Sequence, residues 1–326
     1  MTSQGMKLTN SQLIEFEQSG YLILKRILDP TTCGDFDRNI VEPALMQYAG
    51  IDPENADTWS STESKTRLKS LATNDYSDKD KSNIILPGVM IRKKDGSDPI
   101  PDECNLDLSP LEPILDQLHN RTKHTSNIYN RNWKWMHTNV GWIHVRFPLE
   151  QKNIEKNLQN IKSWHIDGGH FSPHHIDSPE QSIVILPMIR SVSVGGGNTI
   201  ILQKSHIYMA QKLQEAHGQG IPKELTQNTS EIAKLWPKHL IQEVAPCDKG
   251  DVIFLHPFLI HSAGQAKEGQ PLRIAFNMGV RWKSKPIIES IVHPKDSESH
   301  NQLSWLENNI CWCLKQPIHH IISKDI

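Results

Sequence analysis

Five short apolar segments separated by Gly, Pro and Asp turns constrain the fold of this 326-residue chain more than anything else in it. They run from Ser163 to Asp167, Gln181 to Ile189, Thr199 to Leu202, Val252 to Leu255 and Arg273 to Trp282. They are short, bounded by turn residues, and most are rich in the branched side chains that suit a pleated, buried surface. Earlier, Val140 to Phe147 alternates like a strand and puts Trp142, His144 and Arg146 on one face. Strands this far apart in sequence must pair non-locally. The pattern therefore predicts a mainly β protein with peripheral helices, a barrel or jelly roll and not an alternating parallel α/β sheet.

Helical signals surround that core. Thr9-Asn10-Ser11-Gln12 reads as a capping box, and Leu13, Ile14 and Phe16 follow before Gly20 stops the helix. Tyr21 to Leu24 then reads as a buried strand, and Asp29-Pro30 starts a second helix through about Met46. Residues 1–50 thus form an N-terminal helix-strand-helix module. Residues 50–110 are polar and turn-rich, with little periodicity beyond Ile84 to Leu86 and Val89 to Ile91, and read as an insertion or lid. Leu111 to Lys123, His206 to Gly218 and Leu225 to Trp236 carry helical patterns, and short helices return after Pro286. No linker divides the chain, so one domain is expected, with its β core over 136–282 and a helical extension over 286–326.

Composition narrows the partners. Lys plus Arg number 35 against 37 Asp plus Glu, without a basic run, which argues against nucleic acid. The longest apolar runs, such as Ile183 to Met188, fall far short of a bilayer span, and the polar start lacks a signal-peptide core. A soluble cytoplasmic protein with a small-molecule substrate is expected. Five cysteines, an odd number, suit reduced thiols, and Cys311-Trp312-Cys313 lacks the spacer of a zinc knuckle and reads as part of a packed helix.

With 17 histidines, position must carry any claim about one of them. In a strand, residues two apart share a face, so His165 and Asp167 of His165-Ile166-Asp167 can hold one ion if Ile166 enters the core, an alternation that Trp164 and Ile166 fit. A His-x-Asp triplet is expected about once by chance in such a chain, and His175-Ile176-Asp177 repeats it between prolines, in what reads as loop. His170, His174 and His175 read as solvated loop histidines or as residues lining a pocket mouth. His261 is preferred to His256 as a distal ligand because Ser262, Ala263 and Gly264 leave room beside it. Two neutral imidazoles and one carboxylate suit iron(II) and leave coordination positions open. If the strands carrying His261 and Arg273 pair as neighbours, Arg273 can reach the same cavity and hold a carboxylate through a bidentate fork.

These pieces resemble the phytanoyl-CoA dioxygenase family of iron(II)- and 2-oxoglutarate-dependent oxygenases. The matching stretches are the N-terminal helix-Gly-Tyr-strand, Trp164 to Asp167, Gly195 to Thr199 with Ser205-His206, and Gly250-Asp251 through His261 and Arg273. Ile166 stands where the family usually has Gln, and Gln203-Lys204 replaces a common Pro-Gly before Ser-His. The resemblance implies a double-stranded β-helix, cupin-like, with iron at His165, Asp167 and His261. It implies that Arg273 holds the far carboxylate of 2-oxoglutarate, with Thr199, His144 and Arg146 as further candidates for co-substrate or substrate contact. The implied reaction uses O2 to hydroxylate or desaturate a small organic substrate while releasing succinate and CO2. Because Asp167 is a carboxylate and not Ala or Gly, no ligand position is vacated for a halide. Two other readings stand beside it: a cupin-like metalloenzyme without 2-oxoglutarate, which would use the same His, Asp and His but would not need Arg273, and a non-catalytic β-barrel binding protein in which these residues are ordinary core and surface positions.

Overall fold

The N-terminal module forms from local signals. In the computed structural model, α1 (Asn10–Ser19) begins at the capping box of Thr9 and Gln12 and ends at Gly20, whose N–H donates to the Phe16 carbonyl at 2.9 Å. β1 (Tyr21–Leu24) follows. The expected second helix is interrupted: α2 (Pro30–Phe36) passes through a π turn at Asp37–Val41 into α3 (Glu42–Ala49). Pro43 lies one residue into α3 and has no N–H to donate back, so the ladder widens there. The structure describes residues 6–71, 88–91, 93, 97–101, 104, 106–119, 131–136, 140–168, 173–180, 182–216, 218–227, 229–286, 288 and 303–317. The readings of Ile84 to Leu86, of the end of the helix at Lys123, of His170 and of much of 286–326 lie outside them.

Within 50–110 the sequence shows little periodicity, yet α4 (Asp57–Ser60), α5 (Thr62–Leu71) and β2 (Gly88–Ile91) form there. α6 (Glu112–His119), β3 (Trp133–Trp135) and β4 (Ile143–Arg146) precede the central strands. These are β5 (Ile183–Pro187) and β6 (Thr199–Leu202), then after α7 (Ser205–Glu215), α8 (Lys223–Gln227) and α9 (Ser230–Leu235) come β7 (Ile241–Glu243), β8 (Val252–Leu255) and β9 (His261–Ala263). β10 (Arg273–Phe276), β11 (Met278–Trp282) and α10 (Trp305–Lys315) complete the described elements.

The strands make three antiparallel sheets with helices at their periphery. Their orders are β1-β8-β5-β11-β3, β10-β4-β2 and β7-β6-β9. The continuous apolar run at Ile183 reflects burial of both faces of β5 and β8. Ile183, Ile185, Val252 and Phe254 join the large core that also contains helix residues such as Phe16, Leu45 and Ile310. Val184, Leu186, Ile253 and Leu255 turn the other way and meet Ile201, Val244 and Leu259 in a second, smaller core. Each such side chain contributes about 1.5–3 kcal/mol by leaving water.

Two strand expectations are corrected. Ser163 to Asp167 does not form a strand: among the described residues it makes one bridge, His165 to His261. The neighbouring backbone groups pair with a helix-connecting segment instead: Ile166 N–H donates to the Thr226 carbonyl at 2.9 Å and Thr229 N–H to the Trp164 carbonyl at 3.0 Å. The run from Arg273 to Trp282 is two strands. β10 pairs with β4 in one sheet and β11 with β5 and β3 in another, and Asn277 is the residue at which the chain changes sheets.

The C-terminal helix closes over this frame. α10 begins at a buried capping box, in which Ser304 and Glu307 cap each other. Trp305 stacks on Phe16 of α1 with ring centroids 5.6 Å apart, and Gln211 of α7 donates to the carbonyls of Cys313 and Gln316. Cys311 and Cys313 are buried on this helix, which explains their spacing without a metal. Among the described residues no helix is long and apolar enough to cross a membrane.

Candidate metal centre

Burial of Trp164 and Ile166 turns His165 and Asp167 to the opposite face, and the bridge to β9 brings His261 alongside them. The His165 and His261 rings lie 4.5 Å apart. His165 Nε2 is 3.6 Å from Asp167 Oδ1, and His261 Nε2 is 3.2 Å from Asp167 Oδ2. Among the described residues this is the one cluster of three or more His, Cys, Asp or Glu with ligand atoms close enough for a single ion, all within 4.8 Å of one another.

Backbone carbonyls orient both imidazoles. Nδ1 of His165 donates to the Ser163 carbonyl at 2.8 Å, and Nδ1 of His261 to the Leu259 carbonyl at 3.0 Å. With those protons committed, each ring turns its Nε2, the nitrogen that a metal ligand uses, toward the carboxylate. A proton on Nε2 pairs with Asp167, and a bound cation would take its place. Burial disfavours the charge on Asp167, but the facing imidazoles outweigh it and hold the carboxyl well below the usual range. Asn277, at the junction of β10 and β11, donates its amide to both Asp167 oxygens. The sequence reading missed this residue. Its signal was a lone amide between two apolar strand runs.

The strands carrying His261 and Arg273 are not neighbours, contrary to the sequence expectation. β9 pairs with β6 and β10 with β4. Contact is made across the sheets instead: Arg273 Nη2 donates to Thr199 Oγ1 at 3.2 Å, and Thr199 is the register partner of Ala263, two residues beyond His261. Arg273 is buried, and its Nε has no hydrogen-bond partner among the described residues. Burial, reinforced by the nearby Arg146 charge, pushes its pKa down to about 10. His144 and Arg146 share the sheet face that carries Arg273 and Ala275. His144 is held neutral, its pKa pushed to about 3 by burial and then by Arg146, against the attraction of Asp167.

Other histidines singled out in the sequence go elsewhere. His174 is buried, bridges Ile221 and packs edge-on to Phe258, so it is not a solvated loop residue. Asp177 of the second triplet pairs with Lys285 at 2.5 Å, away from the cluster. His256 packs against His206 and accepts the Phe258 N–H.

No protein-family model matches this chain, and no curated protein matches it. Similar solved structures include HygX from Streptomyces hygroscopicus with nickel and 2-oxoglutarate bound, at 15% identity over 85% of this chain and 88% of that one, with a TM-score of 0.44. The carbocyclase SnoK from nogalamycin biosynthesis matches at 15% identity over 84% of each chain, with a TM-score of 0.43. The epimerase SnoN from the same biosynthesis matches at 12% identity over 83% and 79%, with a TM-score of 0.41. Likenesses of this size leave the reading of the centre to its own geometry.

Proposed function

We propose that this protein is an iron(II)- and 2-oxoglutarate-dependent oxygenase with a double-stranded β-helix core, similar to the phytanoyl-CoA dioxygenase family, that hydroxylates or desaturates a small organic substrate. The observation that carries this reading is the convergence of His165, Asp167 and His261 with both Nδ1 atoms committed to backbone carbonyls. The donor set fits iron(II): two neutral imidazoles, one carboxylate, and positions left free for other ligands. When bound there, the metal supplies the redox chemistry that couples oxidative decarboxylation of 2-oxoglutarate by O2 to attack on a substrate C–H bond, with release of succinate and CO2.

The protein's own residues perform the rest. Arg273, buried and with an Nε unpartnered among the described residues, offers a fixed fork to the far carboxylate of the co-substrate, and Thr199 holds that fork in place. His144, kept neutral, adds no further positive charge beside the two guanidinium groups. Asn277 holds Asp167 so that both imidazoles keep their partner. The retained carboxylate favours oxygen insertion or desaturation over halogenation.

The test is 2-oxoglutarate binding to nickel(II)-loaded protein, with Arg273→Ala alongside wild type. The reading expects 2-oxoglutarate affinity to fall at least about tenfold while nickel affinity changes little. Equal loss of both would make Arg273 structural, and absence of 2-oxoglutarate binding by metal-loaded wild type would favour a cupin-like metalloenzyme of another kind.

A further inference from the structure

The centre has more positive charge than its co-substrate needs. Arg273 of β10 and Arg146 of β4 are direct register partners, an arrangement in which like charges destabilise an antiparallel pair. Among the described residues no carboxylate forms an ion pair with either guanidinium; Arg273 is hydrogen-bonded to Thr199. A pair of cations retained in this way suits anionic ligands.

The two arginines differ in setting. Arg273 is buried at 7% exposure, beside Thr199 on the inner strand. Arg146 is partly exposed, and its side chain lies across Gly88, its register partner on β2. A Cβ at Gly88 would stand 2.6 Å from Arg146 Cδ and 3.2 Å from its Nη1, so the missing side chain makes the groove in which this arginine lies, on the side away from β10. Arg146 therefore holds the exposed side of the arginine pair and Arg273 the buried side, next to Thr199.

One dicarboxylate co-substrate engages one arginine fork, and the buried one suits it. We infer that Arg146 forms a second anion subsite, on the exposed side of the arginine pair over Gly88, and that the primary substrate carries an anionic group, a carboxylate or a sulfate or phosphate ester, that docks there. This rests on the reading in which Arg273 takes 2-oxoglutarate. Arg146 then acts as a specificity residue that places the substrate chain relative to the centre.

Inorganic sulfate is the probe, titrated calorimetrically into nickel-loaded protein saturated with 2-oxoglutarate and, separately, into metal-free protein. The expected result is one sulfate bound alongside 2-oxoglutarate in wild type. Arg146→Gln should weaken sulfate at least about tenfold and leave 2-oxoglutarate affinity within about twofold, whereas Arg146→Lys retains part of the sulfate affinity because it keeps charge without the fork. Sulfate that is absent from wild type, indifferent to Arg146→Gln, or displaced by 2-oxoglutarate would overturn the subsite. So would an Arg146→Gln protein that loses 2-oxoglutarate as strongly as sulfate. If wild type fails to bind 2-oxoglutarate, the co-substrate reading falls, and the metal-free titration still decides whether Arg146 holds an anion.

Discussion

Asn277 donates its side-chain amide to both carboxylate oxygens of Asp167, at 3.0 and 3.1 Å. The contact joins the point where the chain leaves one sheet for another to the carboxylate between two imidazoles. It couples strand topology directly to the orientation of a proposed ligand.

Removing that amide should loosen the centre without unfolding it. Asn277→Ala is expected to weaken metal binding by about 10- to 100-fold, the usual effect of losing a group that orients a ligand. Competition against a chromogenic chelator reads the affinity, and circular dichroism checks the fold. Asn277→Asp should be worse still, because it sets a second carboxylate against Asp167. An unchanged metal affinity in Asn277→Ala would mean that Asp167 is oriented by other contacts.

Mild acid should destabilise the protein through buried neutral histidines. His119 is fully buried, hydrogen-bonded to the Leu115 carbonyl and to Ser182, and burial pushes its pKa to about 4; His206 is also at about 4. Between an unfolded value near 6.5 and that folded value, the unfolded chain binds the proton and the folded chain does not, so stability falls as pH falls. Each histidine accounts for roughly 3 kcal/mol by the time pH reaches its folded pKa. Urea unfolding at pH 7 and pH 5 checks this, and His119→Gln, if folded, should flatten the dependence. A urea midpoint that does not fall from pH 7 to pH 5 would contradict it.

The capping box of α10 should matter because it is buried. Ser304→Ala removes the hydroxyl that links the Glu307 carboxylate and N–H, and is expected to cost about 1–2 kcal/mol. For a protein of this size that lowers Tm by about 1.5 °C per kcal/mol. Thermal unfolding monitored by the Trp305 environment reads it, since that ring stacks on α1.

The sequence is legible where local physics decides. The capping box at Thr9 and the stop at Gly20 depend on neighbours a few residues away, and the apolar runs at Thr199 and Val252 mark buried strands by composition. Whatever depends on distant pairing was less legible. Residues 163–167 look like a strand, but Thr226 and Thr229 take the hydrogen bonds that a neighbouring strand would use. β10 and β11 read as one run because both are apolar, and only the sheet assignment exposes Asn277. The cluster of His165, Asp167 and His261 was visible from residue types and spacing. The route by which Arg273 reaches it, through Thr199 on a different sheet, was not.

The most direct test of the account is succinate formation from 2-oxoglutarate by protein loaded with iron(II) under oxygen, without any added primary substrate. Slow, uncoupled release of succinate is predicted for wild type, lost in Asp167→Ala and Arg273→Ala proteins that remain folded. No succinate from well-metallated wild type, or equal succinate from Asp167→Ala, would contradict it.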